Sequence, residues 1–341
     1  MSAIIPVFIP HVGCPHDCVF CNQKKIAGTL AAPTGEEVGK IIENALAYSG
    51  NMPQVAFYGG SFTAIDRPLM LEYLESAKAF IDSGKISSIR LSTRPDCIDE
   101  EILDILREFG VETIELGCQS MVESVLLASG RGHTAEDVRC ASRLIKARGF
   151  RLVLQMMTHL PSSDNEKDIE TARELCALCP DGVRVYPTVV VRDTVLEVLW
   201  RRGEYIAATP EEAAELGGEI IGIFEENSIP IIRFGLNPTD DLSSGEALAG
   251  AYHPALGEMA LSAKYLRLCE RKLDGAETKG KKLLISVNKK RISAMSGQKK
   301  ANKKKLLEKY GFSDVSVCGS DKIADGDILI EIALEKTGNP W

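Results

Sequence analysis

Six times between residues 4 and 186 a short apolar run gives way to a helix-like pattern, and this alternation restricts the fold more than any other feature. The runs are Ile4 to Ile9, Gln54 to Tyr58, Ile89 to Ser92, Thr113 to Gly117, Arg151 to Met157 and Gly182 to Tyr186. Apolar residues at helical spacing follow over 38–46, 68–83, 99–109, 121–128, 135–148 and 165–178. Thr34 and Glu37 have the form of a capping box, and Thr134 is placed to cap the helix at 135. Strands that alternate with helices pair in parallel. The spacing therefore predicts an α/β fold, a partial (β/α)6 barrel of the TIM type, with a small α+β module after it. In such barrels chemistry gathers where the strands end and the βα loops converge.

The unusual residues fall at those ends. After the first strand comes Gly13-Cys14-Pro15-His16-Asp17-Cys18-Val19-Phe20-Cys21-Asn22, with three cysteines spaced C-x3-C-x2-C. Thiolates are the ligands of iron–sulfur clusters and zinc, and three on one loop can converge on one centre. A four-iron cluster held by three cysteines keeps one iron open to a substrate or cofactor. Buried core thiols are the plain alternative. A zinc loop completed by His11 or His16 is another, although structural zinc sites favour paired spacings absent here. Gly59-Gly60-Ser61-Phe62 follows strand two, where glycines let backbone approach a ligand or simply make a tight turn. Ser92-Thr93-Arg94-Pro95-Asp96 follows strand three and Leu116-Gly117-Cys118-Gln119-Ser120 strand four. Gln155 lies on strand five and Arg184-Val185-Tyr186 on strand six. Arg94 can pair with a ligand carboxylate or merely buttress Asp96. His133, in Arg131-Gly132-His133-Thr134, is a cap neighbour or a catalytic group.

These motifs together resemble the radical S-adenosylmethionine (SAM) enzymes, in the branch with the Elongator catalytic subunit and oxygen-independent coproporphyrinogen oxidase. The resemblance covers roughly residues 1–260, treated as the core barrel with its closing segment. It implies the same partial barrel and a 4Fe-4S cluster on Cys14, Cys18 and Cys21. It also implies that SAM binds beside the cluster and is cleaved to a 5′-deoxyadenosyl radical. Gly59, Gly60 and Ser61 would meet the methionyl amino group. Phe20 would cover the cluster and offer its carbonyl to the adenine. Ser92, Thr93 and Gln119 can hydrogen-bond the ribose or carboxylate, and Gln155 is a further cofactor-binding candidate. The segment from Tyr186 to Tyr205 resembles the one that closes the Elongator barrel; Arg233 to Pro238 and Tyr252-His253-Pro254 come next. The chain leaves no length for an acetyltransferase domain and lacks a basic N-terminal extension, so acetyl-CoA chemistry is not carried over.

Composition bears on compartment and partners. No apolar stretch approaches the ~18 residues that span a bilayer, and the N-terminus lacks the basic region of a signal peptide. A cytoplasmic protein is expected. Its ten cysteines are then no disulfide framework. Cys176, Cys179, Cys269 and Cys318 read as buried small hydrophobes or, together, as a second metal site. Net charge is −8, yet residues 279–309 carry twelve Lys/Arg against Glu308 alone, a local +11 that leaves −19 elsewhere. The basic C-terminal module, 261–341, offers Lys289, Lys290, Arg291, Lys299, Lys300, Lys303, Lys304 and Lys305 to a phosphate backbone. Lysine runs are otherwise solvated faces. The expectation is a radical SAM enzyme modifying tRNA, rRNA or another RNA, reduced by a donor such as flavodoxin or ferredoxin. A tetrapyrrole-like small substrate is the enzymatic alternative, and an RNA-binding protein with a structural metal the non-catalytic one.

Overall fold

The computed structural model describes residues 3–9, 14–22, 32–50, 52–236 and 245–334. His11, Gly13, Asn237 and Pro238 lie outside them. The chain forms two compact units. The first takes residues 1–207 and 229–250, the second 208–228 and 251–341. A boundary drawn at residue 260 falls inside the helix Leu256–Leu273, which belongs wholly to the second unit.

In the first unit each of the first five strands is followed by the helix or helices that the spacing predicts. They run β1 (Ile4–Ile9), α1 (Gly35–Leu46), β2 (Gln54–Gly59), α2 (Arg67–Asp82), β3 (Ser88–Thr93), α3 (Glu100–Glu108) and β4 (Val111–Gln119). Then come α4 (Glu123–Ala128), α5 (Ala135–Ala147), β5 (Arg151–Thr158), α6 (Asn165–Ala177), β6 (Gly182–Pro187), β7 (Val189–Val191) and α7 (Val195–Arg201). Both expected caps form, each as a capping box: Thr34 accepts from the Glu37 amide, and Thr134 from that of Asp137. The residue three places into each helix returns a carboxylate to the cap amide, which satisfies two orphan donors per helix.

The parallel strands pair in chain order as β1-β2-β3-β4-β5-β6-β8, a curled half-barrel. Its seventh strand, β8 (Ile231–Phe234), follows α8 (Pro210–Glu226) and extends the six repeats by one. This four-residue strand lies at the sheet edge, is half-buried throughout and shows no alternation, so its pattern is weak. A short antiparallel pair, β7 with β9 (Ala247–Gly250), completes the unit.

The second unit holds α8, α9 (Leu256–Leu273), β10 (Lys282–Val287), α10 (Ile292–Ser296), α11 (Ala301–Tyr310), β11 (Asp314–Gly319) and β12 (Ile328–Ala333). The strands pair as β11-β10-β12, parallel then antiparallel. Tyr265, Cys269, Leu283, Ile285, Met295 and Leu306 build its core. Cys269 is thus a buried apolar side chain. Cys318, exposed on β11, contacts Ser286 Oγ at 3.0 Å. His253 accepts a hydrogen bond from the Ala255 amide just ahead of α9, a structural use.

Candidate active site

The cysteine loop is fixed at several points along its length. Val19 donates its amide to the Ser129 carbonyl and accepts from the Leu196 amide, and Asn22 Nδ2 donates to the Arg192 carbonyl at 2.6 Å. The Phe20 ring packs against the apolar set of Val190, Leu196 and Tyr205, so its side chain anchors the loop to β7 and α7. The loop departs from β1 beside Gly59, whose φ of +114° suits glycine alone. A Cβ there would stand 2.3 Å from the Ile9 carbonyl oxygen, so the glycine serves the β1–β2 junction directly. Gly132, at φ +76°, is the second requirement: a Cβ would enter the His16 ring at 2.4 Å.

Over this loop lies Arg131. Its Nη1 donates to the Cys18 sulfur at 3.3 Å and its Nη2 to the Gly117 carbonyl at 2.6 Å. Burial and the neighbouring thiols Cys18 and Cys14 push the Cys21 thiol up to about 12; burial likewise raises Cys14. Cationic iron would invert that preference, because coordination removes the proton. Among the described residues no three His, Cys, Asp or Glu side chains close on one point. The donors are nonetheless of the kind a cluster takes, on one loop, coupled to one another by charge and met by an arginine. They fit a three-cysteine cluster. Cys97 belongs to the same rim: its thiol hydrogen-bonds Ser61 and feels the charge of Cys14.

The remaining rim candidates divide. Ser61 and Thr93 spend their hydroxyls on each other at 3.0 Å, and Thr93 also meets Thr63 at 2.6 Å. Both are buried, and the cluster they form splices the ends of β2 and β3. Ser92 and Gln155 face inward: Gln155 Nε2 reaches Ser92 Oγ at 3.4 Å and Glu115 Oε2 at 3.1 Å. Gln119, in the left-handed region at φ +64°, has a side chain with no hydrogen-bond partner among the described residues. Gly60 sits half-buried beside Gly59. Arg94 is a buttress, bound bidentately to Asp96 and donating to the Arg131 carbonyl at 2.7 Å. His133 is buried, with Nε2 against the Cys118 carbonyl at 3.1 Å. Burial and the charges of Arg131 and Arg94 push it down to about 4.

A centre that sequence reasoning missed lies on the concave face of the sheet. Glu115 on β4 is fully buried and receives Arg90 from β3 at 2.5 Å, Arg184 from β6 at 2.8 Å and the Tyr58 hydroxyl from β2 at 2.9 Å. Burial raises its pKa, but Arg184 and Arg90 overcome this and hold the carboxyl below its ordinary range. Charged residues inside a parallel strand were the available signal.

Fold and rim define a partial-barrel enzyme carrying three thiols at the C-terminal ends of its strands. Residues 8–176 match the Radical SAM superfamily and residues 180–267 the Radical SAM C-terminal domain. The chain belongs to the radical SAM superfamily, whose enzymes use a 4Fe-4S cluster and SAM. It is 34% identical over 182 residues to human Elongator complex protein 3, covering 52% of this chain and 32% of that protein. It is 33% identical over 148 residues to the tRNA uridine(34) acetyltransferase of Methanocaldococcus jannaschii, covering 42% and 27% respectively. The chain thus spans only a minor part of these curated relatives. Among solved structures, an N-terminally deleted Elp3 of Methanocaldococcus infernus superposes with a TM-score of 0.61 at 22% identity, covering 80% of this chain and 64% of that one. No helix among the described residues is long and apolar enough to cross a membrane.

Proposed function

We propose that this radical SAM enzyme modifies an RNA, in the first instance a tRNA, and that the second unit supplies the phosphate contacts. Cys14, Cys18 and Cys21 would hold the cluster, and the iron without a thiolate would be the seat of SAM. When bound and reduced, by a donor such as flavodoxin or ferredoxin, the cluster would supply one electron for the reductive cleavage of SAM to methionine and a 5′-deoxyadenosyl radical. Arg131 holds the Cys18 sulfur in place, and Gln119 offers an uncommitted amide at the rim. Phe20, packed into an apolar set beside the loop, keeps that side of it dry.

The observation that carries the RNA reading is which cations of the second unit are spoken for. Lys289 pairs with Asp321, Arg291 with Asp325 and Lys305 with Glu215. Lys290, Lys299, Lys300, Lys303 and Lys304 have no carboxylate partner among the described residues. Lys299 and Lys300 both hold positive φ, 50° and 62°, a strained pair that presents two cations just before α11. A relative named for tRNA uridine 34 points the same way. The test is anaerobic incubation of reconstituted, reduced protein with SAM and total tRNA. 5′-Deoxyadenosine should form, and mass spectrometry should find an altered nucleoside. SAM cleavage with every nucleoside unchanged would reject the RNA substrate and favour a small molecule.

A further inference from the structure

We propose that the concave wall of the half-barrel carries an oxyanion site, built by Arg184 and Arg233, that receives a phosphate or carboxylate of the reacting partner. The proposal deepens the enzymatic reading above and rests on it.

Arg184 on β6 and Arg233 on β8 are direct partners in neighbouring parallel strands, so their side chains leave the same face. Arg184 identifies that face as the lumen, because its Nε donates to Glu115 at 2.8 Å and its Nη2 to the Tyr58 hydroxyl at 3.3 Å. Among the described residues the wall therefore holds three guanidiniums, Arg90, Arg184 and Arg233, around the carboxylate of Glu115, while Glu112 is engaged by Gln54 and Ser88 nearer the start of the strands. The Glu115 carboxylate is saturated. Its two oxygens already accept from Arg90, Arg184, Tyr58 and Gln155, and a carboxylate has about four acceptor positions. Nothing remains for Arg233, whose side chain has no ion-pair or hydrogen-bond partner among the described residues. Tyr186, two places after Arg184 on β6, lies within the field of both guanidiniums, and burial raises its pKa further above the ordinary value.

A half-buried wall with an unengaged guanidinium favours an anion over water, since the guanidinium fork matches carboxylate and phosphate oxygens. Glu115 sets the orientation of Arg184 in advance, which lowers the cost of ordering the fork. The opposite edge of the same lumen is apolar. Phe8 is the strand partner of Tyr58, so it faces inward too, and it is 64% exposed. A ligand with a flat ring and an oxyanion suits both walls. A nucleotide with its phosphate fits that description, as does a small aromatic carboxylate.

The experiment titrates anaerobically reconstituted protein with inorganic phosphate and, separately, with acetate by calorimetry. Wild type is compared with Arg233→Gln, with Arg233→Lys, and with Arg202→Gln as an exposed control. Saturable binding should weaken by at least about tenfold in Arg233→Gln, the loss of one charge-assisted contact. Arg233→Lys should fall between, and the control should match wild type. Phosphate binding more tightly supports a nucleotide source of the anion, and acetate binding more tightly supports a small carboxylate. Absence of saturable binding, or equal binding by all four proteins, overturns the proposal. Nucleoside analysis with wild type tests the RNA reading separately, whichever way the titrations fall.

Discussion

Arg131 touches Cys18 sulfur to nitrogen at 3.3 Å while the other arm of the same guanidinium bonds the Gly117 carbonyl at 2.6 Å. One side chain thereby ties the cysteine loop to the end of β4. The tie joins a loop that needs placing to a strand that is already rigid.

Replacing Arg131 with Met should therefore act twice. The buried Gly117 carbonyl loses its donor, at a cost of about 1–3 kcal/mol, and the Cys18 sulfur loses its neighbour. Urea unfolding and iron per chain after reconstitution should both fall. A variant with wild-type stability and full iron would show the tie to be idle.

Gly132→Ala places a methyl group inside the His16 ring and forces a β-carbon onto φ +76°. The backbone component costs about 1 kcal/mol, and the clash adds to it. His16→Ala in the same chain should recover the clash but not the backbone component. A double-mutant cycle in thermal unfolding reads the difference, and purely additive effects would contradict the contact.

Glu115→Gln leaves two guanidiniums facing a neutral amide in the sheet interior, with a loss of about 3–5 kcal/mol. The pH dependence supplies a second check. A carboxyl held below its ordinary range stabilises the fold above the unfolded pKa, about 4.3, and loses that contribution as pH falls through the folded value. Stability of wild type should drop on acidification below about pH 4, and that limb should flatten in the variant.

His133 works from the other side of neutrality. Its imidazole is pushed down to about 4 by burial and by the Arg131 and Arg94 charges, so the folded protein binds fewer protons than the unfolded chain. Stability should be complete above the unfolded value, about 6.5, and decline from there toward pH 4 by on the order of 3 kcal/mol. NMR of the His133 ring through that range gives the direct reading. A ring titrating at 6.5 would contradict the assignment.

Charge reversal at Lys299, Lys300, Lys303 and Lys304 should reduce the slope of log K against log salt for single-stranded RNA by about 3. Reversal of Lys289 and Arg291, already engaged by Asp321 and Asp325, should change it less. Filter binding across a salt series measures both, and equal effects would remove the distinction between the two sets.

Much of the frame was legible in the chain. Runs such as Ile89 to Ser92 alternate with amphipathic stretches, and Thr34–Glu37 and Thr134 mark helix starts because capping chemistry is local. What escaped is contact at long range. Nothing near Glu115 in sequence announces that Arg90, Arg184 and Tyr58 meet it, since the four come from four different strands. The same holds for Arg131 and Cys18, separated by 113 positions. Thr93 shows the same limit locally: a hydroxyl at a strand end reads as a ligand contact, and only packing reveals that it also bonds Ser61 and Thr63. Ile231–Phe234 stayed hidden because a half-buried edge strand of four residues lacks a periodic signature.

The Ile9 carbonyl leaves no room for a side chain at Gly59, and this has a bearing on how the rim can diversify. Any methyl group there must prise the first strand from its neighbour and swing the cysteine loop with it. Position 59 is consequently closed to the other nineteen amino acids for steric reasons alone, whatever molecule the enzyme comes to act upon.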